Sequence, residues 1–234
     1  MSLSAVTGQR IGLGARAVVR RDSLAAIGGL VFAAALLAQN IIRASGPGFD
    51  AAPGKVVDYF LHHRAAALVP LGMFPVEMIA LFAFVAGVWT KADSEQGKWW
   101  ASMGALGTAT IAALFAFVNI IEIVLTAKAG QLASSPTVVQ ALWAVRGAAF
   151  GLDLAAIAVA LIGLSHAAAS RQVAPAWLTI AAWPASAALL VAATFTVALT
   201  NGGPWIAVGL AGFIVWLTFL ITASLSLLRN RPIP

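Results

Sequence analysis

The stretch VVQALWAVRGAAFGLDLAAIAVALIGLS, residues 138–165, decides the fold. It carries only two charged side chains, Arg146 and Asp153. It is also longer than the roughly 20 apolar residues with which a helix crosses the hydrocarbon core of a bilayer. A helix on the surface of a soluble protein needs a broad polar face to meet water, and this run has none. Working outward, comparable runs occupy about 24–42, 65–89, 99–126, 177–200 and 204–228. The chain is 61% hydrophobic and 9% charged, against about 25% charged residues in soluble domains. The expected fold is therefore all-α and membrane-embedded: a six-transmembrane-helix bundle in a multi-pass plasma-membrane protein.

The spans divide the chain into a basic segment, 1–23, one helical membrane domain, 24–228, and a short tail, 229–234. Arg20 and Arg21 before the run from Leu24 also look like a twin-arginine export signal, but a first spanning helix is the simpler reading, because the region around Ala38 makes a poor cleavage site. Between the first two spans, residues 55–64 place Val56, Val57, Phe60 and Leu61 at nearly helical spacing, which predicts a short amphipathic helix in the interface. Trp89, Trp99, Trp100, Trp177 and Trp205 fall near span ends, as aromatic belts do.

Lys and Arg residues cluster at the ends of the apolar runs, and their bias places both termini in the cytoplasm. That distribution reads as topology, so the net charge of +6 does not indicate a nucleic-acid partner. The expected partners are the bilayer and a lipid-soluble small molecule. With no cysteine in the chain, disulfides, thiolate nucleophiles and sulfur-ligated metals are excluded. Asp58 and His62, four apart with His63 adjacent, have a chelating spacing but read better as a solvated helix face. No metal or organic cofactor is expected.

Glu77, Glu122, Arg146 and Asp153, with Asn119, are the candidates for function, because charge at membrane depth costs roughly 2.5–3.5 kcal/mol per group even on lenient scales. A rise of 1.5 Å per residue puts Glu77 about 18 Å from the start of its span, and Asp153 at comparable depth. Glu122 and Arg146 fall nearer one surface, which suggests a layered site: an ion pair above and two carboxyls below. Arg146 and Asp153 share a helix face with Trp143 and Phe150, and Asn119 shares one with Glu122. Phe82 and Phe115 complete the expected aromatic lining. Three carboxyls facing one guanidinium cannot all be ionised cheaply in low dielectric, so one of Glu77 and Asp153 is the expected proton donor. The alternative is that these groups only pin helices together, with Glu77 bonding the Leu71 carbonyl that Pro75 leaves free.

The segment FDAAPGKVVDYFLHHR, residues 49–64, with its small-residue-rich spans, resembles a broad set of multi-pass membrane proteins of actinobacteria. That resemblance implies the topology and no activity. A looser one is to the integral-membrane terpene cyclases of meroterpenoid pathways, in which intramembrane carboxylates protonate an epoxide or alkene and aromatic faces stabilise the cation. Glu77 in a proline-containing helix and Asp153 carry it. This chain departs from those enzymes in having six spans rather than seven and no acid in its last helix. The implied function is protonation-initiated chemistry on an isoprenoid or similar substrate, with Glu77, Asp153 and Glu122 catalytic. Arg146, Asn119, Trp143, Phe150, Phe82 and Phe115 would bind the substrate. A proton-coupled transporter is the alternative.

Overall fold

A computed structural model describes residues 3–170 and 173–229, with side chains from residue 21 onward. Among the described residues eight helices follow in order: α1 (Leu3–Ala44), α2 (Pro53–His62), α3 (Arg64–Lys91), α4 (Glu95–Leu132), α5 (Pro136–Ala169), α6 (Ala176–Thr194), α7 (Thr196–Thr200) and α8 (Trp205–Arg229). Six of them are long and apolar enough to cross a membrane, with α1 contributing residues 21–44. The chain is a six-span helical membrane protein, in which α1 begins well before the first apolar run.

In a bilayer, helices gain little by hiding apolar surface from one another, so close van der Waals contact through small residues must hold them. Gly104 and Gly107 of α4 lie directly against α5. A β-carbon at Gly107 would fall 2.5 Å from the backbone nitrogen of Ala160, and one at Gly104 would fall 2.7 Å from Leu164. The α1–α3 pair uses the same device, with Gly28 against the Ala80 carbonyl and Gly87 against Ala25. Lys91 Nζ meets Asp22 at 2.6 Å where that pair ends. Helix α5 is the centre of the bundle, since 67% of its most apolar window is buried against 33–44% for the other five spans.

Helices α4 and α5, with 38 and 34 residues, run to about 50–57 Å at 1.5 Å per residue and outreach a 30 Å core. Their paired ends project beyond the level at which α1 stops. Against that projection packs α2, whose Val56, Val57 and Phe60 form a second apolar cluster with Ile121, Leu125, Val139 and Trp143. The interfacial helix expected over 55–64 thus spans Pro53–His62. Proline at its first helical position starts it early, and His63 leaves helical geometry, so Arg64 opens α3.

The fifth span differs from its expectation of one helix over 177–200. It breaks at Phe195, where φ is −93° and ψ 28°. Thr194 and Thr196 hydroxyls donate to the carbonyls of Leu190 and Ala193, a local pairing that competes with the helix ladder. The offset segment α7 then lays Thr196 and Thr200 against Gly151 and Gly147 of α5.

Candidate functional site

The site forms where α1 ends, at the face of the bundle covered by α2. Glu122, on the inward side of α4, is its centre. Arg146 of α5 donates through Nε at 2.8 Å and lies 2.7 Å away through Nη2, both to Glu122 Oε1. The α4–α5 register that the glycines set places the two residues at one level. A second guanidinium, from Arg43 of α1, contacts Glu122 Oε2 at 2.8 Å and donates to Asn119 Oδ1 at 3.3 Å. Each carboxylate oxygen thus meets its own arginine, the charge-assisted arrangement that best offsets desolvation. Two cations against one anion leave the triad with a net positive charge.

Aromatic rings enclose the guanidiniums. Arg146 Cζ lies 4.4 Å from the Trp143 ring centre and 5.8 Å from that of Phe49. Arg43 Cζ lies 5.1 Å from Phe115, within cation–π range. The loop over the site is pinned by Trp143, whose indole nitrogen donates to the Gly48 carbonyl at 2.9 Å, and by Phe49 against Phe150 at 5.2 Å. Between α1, α2 and α3 lies a cleft of about 20 Å³, lined by Arg43, Tyr59, Glu122 and Arg146 with Phe60 and Pro70. Such a space holds about one water. Tyr59 is half-buried on α2, outside the spans. Burial first, then the Glu122 charge, push its phenol above the usual range, so it stays neutral at physiological pH.

Below the triad the contacts thin out. Arg43 also donates to the side-chain amide oxygen of Gln39, one turn down its own helix, and Gln39 Nε2 donates to Glu77 Oε2 at 3.0 Å. A continuous chain therefore runs Arg146, Glu122, Arg43, Gln39, Glu77. The other Glu77 oxygen, Oε1, is buried with no partner among the described residues. No bond from Glu77 to the Leu71 carbonyl is seen among the described residues; Gln39 holds it instead. Asp153 lies seven residues along α5 from Arg146, about 10 Å, and its buried Oδ1 likewise has no partner among the described residues.

The counts along single spans place Glu77 deep, and the tertiary register adjusts this. Helix α3 starts above the end of α1, and Glu77 meets Gln39, which lies only about 8 Å from that end. Among the aromatic candidates, Trp143 and Phe115 are buried and Phe150 is half-buried. Phe82 does not join them: it is 45% exposed on the outside of α3, where lipid would cover it. Arg43 and Gln39 were missed. A charge at a span end reads as a topology signal, yet the i, i+4 spacing of Gln39 and Arg43 on one face was a usable sign.

Other candidates stand apart from this site. Asp58 and His62 form an exposed i, i+4 pair at 2.9 Å. No group of three metal-ligating side chains occurs among the described residues. His166 stacks on Trp100 at 4.3 Å at the opposite end of the bundle. No family model, no curated protein and no solved structure matches this chain.

Proposed function

We propose that the protein is a plasma-membrane enzyme that acts on an isoprenoid or other lipid-soluble substrate by protonating it, most concretely in a cyclisation. One observation carries this: Glu77 and Asp153, beneath an ion-paired cluster, each bury a carboxyl oxygen with no protein partner among the described residues. A carboxyl in such a setting is cheapest as the neutral acid, and a neutral acid with an unengaged oxygen is placed to donate a proton to a substrate. The proton passes to an alkene or epoxide, and the carboxylate left behind accepts one back when the cation loses a proton. Phe115, Trp143 and Phe150 supply the ring faces that tolerate such a cation. Glu122, fully engaged by two arginines, organises the site rather than giving up a proton.

The cleft holds about one water, so a chain-like substrate enters by parting α2 from α3 and α1. Helix α2 has no side-chain N-cap and joins α3 through the single non-helical residue His63, which suits a movable cover. The proton-coupled transporter remains as a second reading because of the Glu77–Gln39–Arg43–Glu122 chain. Protonating Glu77 would weaken its hold on Gln39 and so reposition Arg43 at the cleft.

The test is native mass spectrometry with extraction and identification of bound lipid, on wild type, Glu77→Gln and Asp153→Asn. A prenylated quinone, phenol or indole that accumulates unreacted in either variant, and converted in wild type, supports the enzyme. Identical ligands and products in all three proteins would sink it. Uptake into liposomes that follows a pH gradient and fails in Glu77→Gln would establish the transporter instead.

A further inference from the structure

The cleft beneath α2 has a charge and a shape that the acid chemistry does not use. Its only carboxylate is Glu122, engaged on both oxygens, while two guanidiniums face it. Arg43 Nε is buried with no acceptor among the described residues, and Arg146 commits Nε and Nη2 to Glu122. Among the described residues, the lining therefore holds surplus donors and a surplus positive charge. Tyr59 adds a neutral phenol. The remaining wall, including Pro47, Phe60, Ala67 and Pro70, is apolar, and the cleft lies at the level where α1 ends.

We propose that this cleft binds the carboxylate head of a single-chain amphiphile, with its tail directed between the helices toward the level of Glu77 and Asp153. This rests on the reading that the protein handles a lipid-soluble substrate, and it specifies the class of that substrate. A carboxylate in the cleft would cancel the net charge of the triad and meet the edge of the Arg146 guanidinium that is not committed to Glu122. The apolar wall continues the site away from the arginines, which a free small anion would leave unused. From Arg146 to Asp153 the tail has about 10 Å to cover.

The experiment is saturable binding of radiolabelled palmitate to the full chain in phosphatidylcholine nanodiscs, with unlabelled palmitate, hexadecanol and acetate as competitors. Palmitate is expected to displace the label and the other two are not. Arg43→Gln is expected to weaken binding at least ~10-fold, the scale of one hydrogen bond to a charged group, with Arg43→Lys retaining more than Arg43→Gln. Equal displacement by hexadecanol would overturn the proposal, because the head charge would then not be read. Displacement by acetate at matched concentration would overturn it in favour of a free carboxylate site. Wild-type binding by a folded Arg43→Gln would also overturn it. Product formation is read separately on the same wild-type protein: palmitate binding that depends on Arg43, with no lipid converted, would sink the acid chemistry and leave the head site standing.

Discussion

Glu122 is a buried anion whose cost is met by two arginines of unequal accessibility. The Arg146 side chain is 10% exposed and that of Arg43 15%, and Arg43 sits one residue from the end of α1, where a long side chain can reach toward the interface. Arg146→Met is therefore expected to destabilise the protein by an amount near the lower end of about 3–5 kcal/mol, since Glu122 keeps only one partner. Replacing both members, Glu122→Leu with Arg146→Met, should recover most of that loss, because the one charge left without its carboxylate, Arg43, sits near the end of α1 and can turn toward the interface. Thermal unfolding in mild detergent, followed by near-ultraviolet circular dichroism, checks both. Equal destabilisation in single and double variants would contradict the account. Arg43 and Gln39 illustrate what a residue-level reading lacks. Glu122, Arg146, Asn119 and Trp143 stood out because charge and large polar groups are costly in an apolar run. Arg43 did not, because a cation at a helix end costs little wherever it points.

Helix packing is decided by surfaces too small to register as a pattern. The same substitution should have opposite signs at two glycines of α4. Gly107→Ala forces a methyl group to within 2.5 Å of the Ala160 nitrogen, and overpacking of this kind costs about 1–3 kcal/mol. Gly130→Ala meets nothing within 4 Å and should gain about 0.5–1 kcal/mol from helix propensity. Unfolding midpoints of the two variants measured side by side check the contrast. Six long helices were legible because each apolar run is bounded by Gly, Pro or charged residues. The break at Phe195 was not, since Thr194 and Thr196 are ordinary residues for a spanning helix. What makes the break worthwhile is the pair of glycines, Gly147 and Gly151, waiting on α5. Likewise α2 was legible from its apolar spacing, while the surface it covers exists only because α4 and α5 outgrow the other spans.

At the scale of the whole molecule, six spans place the loops at 45–52 and 133–135 on one side of the membrane and the turn at 92–94 on the other. The native chain has no cysteine, so single introduced cysteines report cleanly. Ser45→Cys and Ser134→Cys should react with an impermeant maleimide from the same side, and Gln96→Cys, exposed near the start of α4, from the opposite side. Labelling of Ser45→Cys and Gln96→Cys from one side would refute the arrangement of the first two spans. The site lies at the side of the 45–52 loop, so the same labels locate it in the cell.

By itself the sequence determined the number of spans, their approximate limits and the identity of the costly polar groups. These depend on local composition measured against a uniform apolar solvent, so they are readable one segment at a time. Only the tertiary structure decided that Glu122 meets two arginines rather than one, that Gln39 holds Glu77, and that Phe82 faces outward while Phe115 lies under a guanidinium. It also decided that Asp153 is left without a partner among the described residues. Those outcomes depend on how helices are rotated and staggered against one another. The rotation and stagger are set by backbone contacts at a few glycines and alanines, whose side chains are too small to leave a hydrophobic pattern in the sequence.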